Sequence, residues 1–327
     1  MTPIDAAANT WVERLSPAAR RAADDATDHA LMVWFAGGAL AVIAAWLIHR
    51  SGVLALLLRR IEAEKPRPWL ASAAAAVVFA ALLLAALAPF DILIARSSPA
   101  DLLAGDLIKL LAALIALPLL YGLMRWTPRF WWAWGGAAAV VLSVALTWAP
   151  YAAASGPANL PAVPPGATRD ALTDLFRAAH LPADQVYVSR DRRVWADVTG
   201  LPGKPRVVVS PPMLQKASAA EIRANVGHLI SHYQHGDQLA LALVLGALAA
   251  AALLAAQLLY PPLARLIAAP GAIADPVSLP VLAVIGVLAL GFSGAAFATF
   301  DRLINVRADA ESLDHAREPD GLAISLL

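Results

Sequence analysis

Residues 224–243, "ANVGHLISHYQHGDQLALAL", decide how this chain is read. The first half places His228, His232 and His235 at offsets of 0, 4 and 7. At about 100° per residue these fall within a narrow arc of one helix face. Two histidines four apart can hold one zinc ion, and the H-E-x-x-H motif adds a glutamate beside the first histidine as general base. Here the string is "HLISH": the ligand spacing is intact, and Leu229 stands where the glutamate belongs. The second half runs directly into an apolar segment. A histidine pair at this spacing arises often by chance on an amphipathic helix, so its surroundings carry the reading.

Those surroundings are a membrane chain. Of 327 residues, 60% are hydrophobic and 15% charged, with a mean hydropathy of +0.64. Soluble domains average about 45–50% apolar and about 25% charged. Apolar runs cover residues 31–48, 69–94, roughly 107–124 and roughly 130–153 before the histidines, and 238–258 and 278–300 after them. Each is near the ~20 residues of a spanning helix. Trp126, Trp131, Trp132 and Trp134 cluster between the third and fourth runs as an interfacial belt would. The expected fold class is an α-helical polytopic membrane protein of about six spans with a small inserted α+β domain. The parts are an N-terminal segment (1–30), four spans (31–153), a Pro/Gly/Ala-rich linker (154–168), the α+β domain (169–237), two spans (238–300) and a C-terminal helix (301–327). The first run follows a mixed-charge stretch and reads as a retained span rather than a cleaved leader. A net charge of +1 suggests no nucleic acid partner, and the absence of cysteine excludes disulfides and thiolate metal sites.

In the inserted domain, "RDALTDLFRAAHLP" (169–182) has helical periodicity, and "QVYVS" (185–189) and "RVVVS" (206–210) read as strands around a "GLPGK" turn (200–204). Ser218 and Glu221 have capping-box spacing at the start of the histidine helix. The connector after the first span holds Arg50, Arg59, Arg60, Lys65 and Arg67 against Glu62 and Glu64; the third holds Arg125 and Arg129; the second has Arg96 opposed by Asp101. The positive-inside rule then puts the first and third connectors in the cytoplasm and the histidine domain outside.

Three stretches together resemble one family. "VWADVTGLPGKPRVVVSPPML" (194–214) is similar to its Asn-Ala-Tyr strand, Gly-rich turn and second strand; "VGHLISHYQHGD" (226–237) to its metal helix; "INVRADAESLDHAREPDGLA" (304–323) to its glutamate helix. The family is the integral-membrane zinc metallopeptidases of the CAAX prenyl protease type, which includes bacterial heat-shock membrane proteases. The resemblance implies zinc as cofactor, with ligands at His228 and His232 and the third-ligand glutamate replaced by Asn305. It implies Leu229 at the general-base position, an aspartate behind the ligands at Asp309, and a peptide-facing strand at Trp195, Ala196 and Asp197. It requires the helix after the last span to fold back onto the metal helix, so that Asn305 meets the histidines. The family's catalytic domain usually continues beyond the point matching Leu327.

Two losses bear on activity. Leu229 cannot accept a proton, and losing a general base costs about 10²–10⁴-fold in rate. Asn305 offers a neutral carbonyl where catalytic zinc takes a third protein ligand. His235 lies one turn beyond His232, but three ligands on one straight helix span about 10 Å, too far for one ion. Asp309 could swing in, while Glu311 and Asp314 read as solvated or supporting charges. The expectation is therefore a catalytically inactive metallopeptidase homologue, with zinc weak or absent. It would sit in membrane lipid, in an inner membrane of bacterial type, and bind a membrane protein or peptide client. The alternative is an active zinc endopeptidase with a rearranged site.

Overall fold

A computed structural model describes residues 16–94, 98–153, 160–182, 186–190, 193 and 195–325. It divides into two compact units, one comprising Leu15–Ala139 with Ala247–Gly294, the other Val140–Gly246 with Ala295–Leu327. Among the described residues six helices are long and apolar enough to cross a membrane: Arg20–Ser51, Pro68–Leu93, Leu102–Trp126, Trp131–Ala153, Asp237–Leu266 and Pro276–Ala316. The chain is a polytopic helical membrane protein with a small α+β insert.

The first unit is built from helices α1 (Pro17–Ser51), α2 (Val53–Ile61), α3 (Pro68–Leu93), α4 (Pro99–Trp126), the start of α5 (Trp131–Ser143) and the adjoining parts of α10 (Asp237–Leu266) and α11 (Leu279–Ala316). Phe35, Leu103 and Leu290 are two-thirds or more exposed, as side chains facing lipid are. Trp131 and Tyr121 are fully buried. Each finds a polar partner, as buried Trp and Tyr must: Trp131 Nε1 donates to Gln257 Oε1 at 2.5 Å, and the Tyr121 hydroxyl pairs with Ser278 Oγ at 2.8 Å. Helix α1 starts at Pro17, well before the apolar run, because "PAARRAADDATDHA" is rich in alanine and has proline at the first helical position.

The second unit holds the insert. The fourth span enters it through a π-helical turn (Val144–Trp148) and α6 (Ala149–Ala153). Then follow α7 (Ala167–Ala178), β1 (Val186–Val188), β2 (Ala196–Thr199), β3 (Arg206–Val209), α8 (Pro211–Lys216) and α9 (Ala219–His235), and later α12 (Pro319–Ser325). The sheet order is β1-β3-β2, with β1 parallel to β3 (Val186↔Val207) and β2 antiparallel to it (Ala196↔Val209). Leu172, Leu175 and Phe176 of α7, Val207 and Val209 of β3, and Ile222, Val226 and Ile230 of α9 form the core. The α9 residues recur every four positions, the stripe a half-buried helix needs.

Three expectations change. Periodicity marks β1 and β3 but not β2, whose "ADVT" mixes a buried Val198 with a half-buried Asp197; only the family resemblance places a strand there. The linker is partly structural. Residues 154–159 lie outside the described residues, but Ala162 bridges to Tyr187, Val163 donates its N–H to Val186 O, and Val163 is buried. The free edge of β1 needs partners, and this segment supplies them. Third, no fold-back follows the last span. Helix α11 runs unbroken for 38 residues, because neither glycine nor proline occurs between Gly294 and Pro319.

Candidate functional site

The site is carried by α9, the first turn of α10 and the distal part of α11. The predicted capping box starts α9: Ser218 Oγ accepts from Glu221 N–H at 3.2 Å, and Glu221 accepts from Ser218 N–H at 2.6 Å. Gly236 ends the helix at φ 65, a left-handed conformation that glycine adopts without penalty. This sharp exit brings Asp237 back beside the last turn.

Helix α9 packs closely on α11. A Cβ on Gly227 would lie 3.0 Å from Ser312 Oγ, and that hydroxyl donates to Ala224 O at 2.7 Å. Residues 304–312 of the continuous helix α11 lie alongside the histidines without any fold-back. His228 and His232 meet, with their Nε2 atoms 2.9 Å apart. Each ring is oriented from behind: His228 Nδ1 pairs with Asp309 Oδ1 at 2.7 Å, and His232 Nδ1 with Asp237 Oδ2 at 2.8 Å. The two Nε2 atoms are thereby turned toward each other. A carboxylate behind each imidazole is the support that metal-binding histidines use. Asp237 is buried and also accepts from Arg307 Nη2 on both oxygens, at 2.5 Å each. Neither Asp237 nor Arg307 was marked by motif spacing; the glycine-aspartate pair after the histidines was the available signal.

Leu229, His232, Asn305 and Asp197 line a single cavity of about 200 Å³, together with Tyr151, Asp237, Asp301 and four apolar or amide side chains. So the structure brings together Leu229, both histidines and Asn305. Asn305 Nδ2 donates to Asp301 O at 2.8 Å, which spends its amide nitrogen on its own helix. His235 does not join the pair; its Nε2 pairs with Glu311 Oε1 at 2.8 Å, and Glu311 also accepts from Ser231 at 2.6 Å. Just before β2, Trp195 N–H donates to Ser210 Oγ and Trp195 O accepts from Ser210 N–H; on β2, Ala196 pairs in register with Val209, and Asp197 faces the cavity. Burial pushes the Asp197 carboxyl above its ordinary range, against the opposing pull of the Val198 N–H and the Arg206 guanidinium. The Val198 carbonyl accepts the Tyr151 hydroxyl at 2.8 Å.

Helix, sheet and paired histidines lie in one stretch of chain, and comparison with known families matches that stretch. The chain carries a peptidase family M48 domain. The match covers residues 166–326, from the residue before α7 to the end of α12. No curated protein and no solved structure matches the chain. M48 is a zinc metallopeptidase family. The two imidazoles of this M48 domain suit zinc. The full donor set does not suit a catalytic zinc, which takes three protein ligands and a water. Asn305 brings only a neutral oxygen, and both carboxylates touching the imidazoles are bonded to their Nδ1 atoms. Among the described residues no group of three or more His, Asp or Glu side chains is arranged to hold a metal ion.

Proposed function

We propose that the M48 domain is a non-hydrolytic homologue of the CAAX-type membrane peptidases, which holds an extended peptide or a membrane protein segment without cutting it. The observation that carries this reading is Leu229 lining the cavity beside His232 and Asn305. The position that should accept a proton is apolar, and the position that should supply a charged ligand is an amide. The remnant suited to binding is β2. It is an edge strand in the order β1-β3-β2, and an edge strand can add a peptide strand by main-chain hydrogen bonding, here in exchange for the Tyr151 contact with Val198 O.

A second reading is favoured by Asp197. Its carboxyl lines the same cavity and burial favours its protonated form, a property of groups that exchange protons in catalysis. On that reading peptide hydrolysis persists at a rearranged site, with Asp197 taking the proton that Leu229 cannot. One experiment separates the two: zinc content of the purified protein by elemental analysis, beside cleavage of an unstructured peptide with and without chelator. The non-hydrolytic reading expects far less than one zinc per chain and no cleavage. Chelator-sensitive cleavage that disappears in Asp197→Asn would establish the other.

A further inference from the structure

The membrane unit contains a second, unrelated cavity of about 460 Å³, bounded by α2, the start of α3, the end of α4 and the turn before α11. Two arginines line it, Arg59 and Arg125, together with two acids, Glu62 and Asp275. Arg125 is unusual. Its Nη1 donates to Ser72 Oγ at 3.1 Å and its guanidinium lies 5.9 Å from the Trp69 ring, so it is held in place. Its Nη2 is buried and has no hydrogen-bond partner, and among the described residues no carboxylate pairs with Arg125. A guanidinium nitrogen removed from water with no acceptor is costly, so an oriented, half-satisfied arginine beside a cavity calls for an anion.

We propose that this cavity binds the phosphate of a membrane phospholipid headgroup, with Arg125 as the fixed ligand and Arg59 as the mobile one. The planar guanidinium fork matches phosphate oxygens in a bidentate manner. The level is that of headgroups: Arg125 is in the last turn of α4, and Trp69 and Trp126 beside it are more than half exposed, as interfacial tryptophans are. Glu62 and Asp275 cancel the arginine charge, so a headgroup that adds an ammonium to its phosphate fits best; phosphatidylethanolamine has both.

The test uses the full chain in detergent. Native mass spectrometry would compare retention of phosphatidylethanolamine with that of a galactosyl diacylglycerol of identical acyl chains. A parallel thermal-shift titration with inorganic phosphate separates a lipid from a soluble anion. Phosphatidylethanolamine should be retained about tenfold over the galactolipid, the scale of one or two charge-assisted bonds, and Arg125→Leu should abolish the preference. Arg59→Gln, at an exposed position that cannot affect folding strongly, should weaken it. Stabilisation by inorganic phosphate with no preference between the lipids would overturn the lipid assignment. A preference unchanged in both arginine variants, or no response to either ligand, would overturn the site.

Discussion

On the proposed reading Leu229 and Asn305 disable different steps, and that makes their repair informative. A glutamate at position 229 restores a proton acceptor but leaves zinc on two imidazoles. A glutamate at position 305 restores a charged ligand but leaves no base. Leu229→Glu alone should therefore give no measurable cleavage. The double variant with Asn305→Glu should bind zinc at least about tenfold more tightly than the unmodified protein, and it is the form in which peptide cleavage should first appear. Zinc titration monitored by competition with a chromophoric chelator reads the first effect directly. Tight zinc binding by the unmodified chain would mean that Asn305 is an adequate ligand. The carboxylates behind the rings have a structural role besides. Asp237 is 3% exposed, so Arg307→Leu would leave a buried carboxylate facing only His232. Because Arg307 is itself 37% exposed, the cost should be about 2 kcal/mol rather than the full penalty of breaking a buried pair. Denaturant titration in detergent against Arg302→Leu, an exposed position on the same helix, measures it.

At the scale of elements, close helix crossings and caps hold the M48 unit. A Cβ on Gly246 of α10 would lie 2.6 Å from the Val140 Cα, a backbone atom that cannot swing aside. Gly246→Ala should destabilise by about 1–3 kcal/mol. Gly105 of α4 has nothing within 4 Å of the same position. Gly105→Ala should be neutral or stabilising, since alanine is the better helix former. Comparing the two melting temperatures isolates packing from propensity. At the start of α9, hydrogen bonds from the Ser218 backbone and side chain hold the Glu221 carboxyl below its ordinary value of 4.5. A lowered folded value means that this contribution is fully present above about pH 4.5 and is lost as pH falls through the lowered value. Ser218→Ala should cost about 1 kcal/mol at neutral pH, and the gap to the unmodified protein should narrow in acid. A gap independent of pH between 3 and 6 would show that Glu221 takes no part in the cap.

For the whole molecule, the positive-inside rule applied to the arginine-rich first and third connectors predicts that they face the cytoplasm and that the M48 insert lies outside. The chain has no cysteine, so single cysteines report without background. Ser51→Cys at the end of α1 should resist an impermeant reagent in intact cells, and Lys204→Cys, at an exposed position in the β2–β3 turn, should react. The opposite pattern would invert the topology. Much of this architecture is a one-dimensional property. A run of about 20 apolar residues has few ways to exist other than as a spanning helix, so all six runs were readable, as was the capping box at Ser218. The histidine pair was legible because helical periodicity turns spacing into proximity. Strand β2 was not, because a short edge strand with mixed burial has no alternating pattern. The signal for the continuity of α11 was in the sequence, which has neither glycine nor proline between Gly294 and Pro319, but the family resemblance pointed to a fold-back instead. Sequence alone determined the spanning runs and the histidine helix, because hydrophobic length and local hydrogen bonding act between near neighbours. Only the tertiary structure decided that Asp237 and Arg307, 70 residues apart, support His232, and that Asp197 and Asn305 share the cavity of Leu229. Contacts between distant residues depend on how helices cross, and that is set by packing of whole faces rather than by any local pattern.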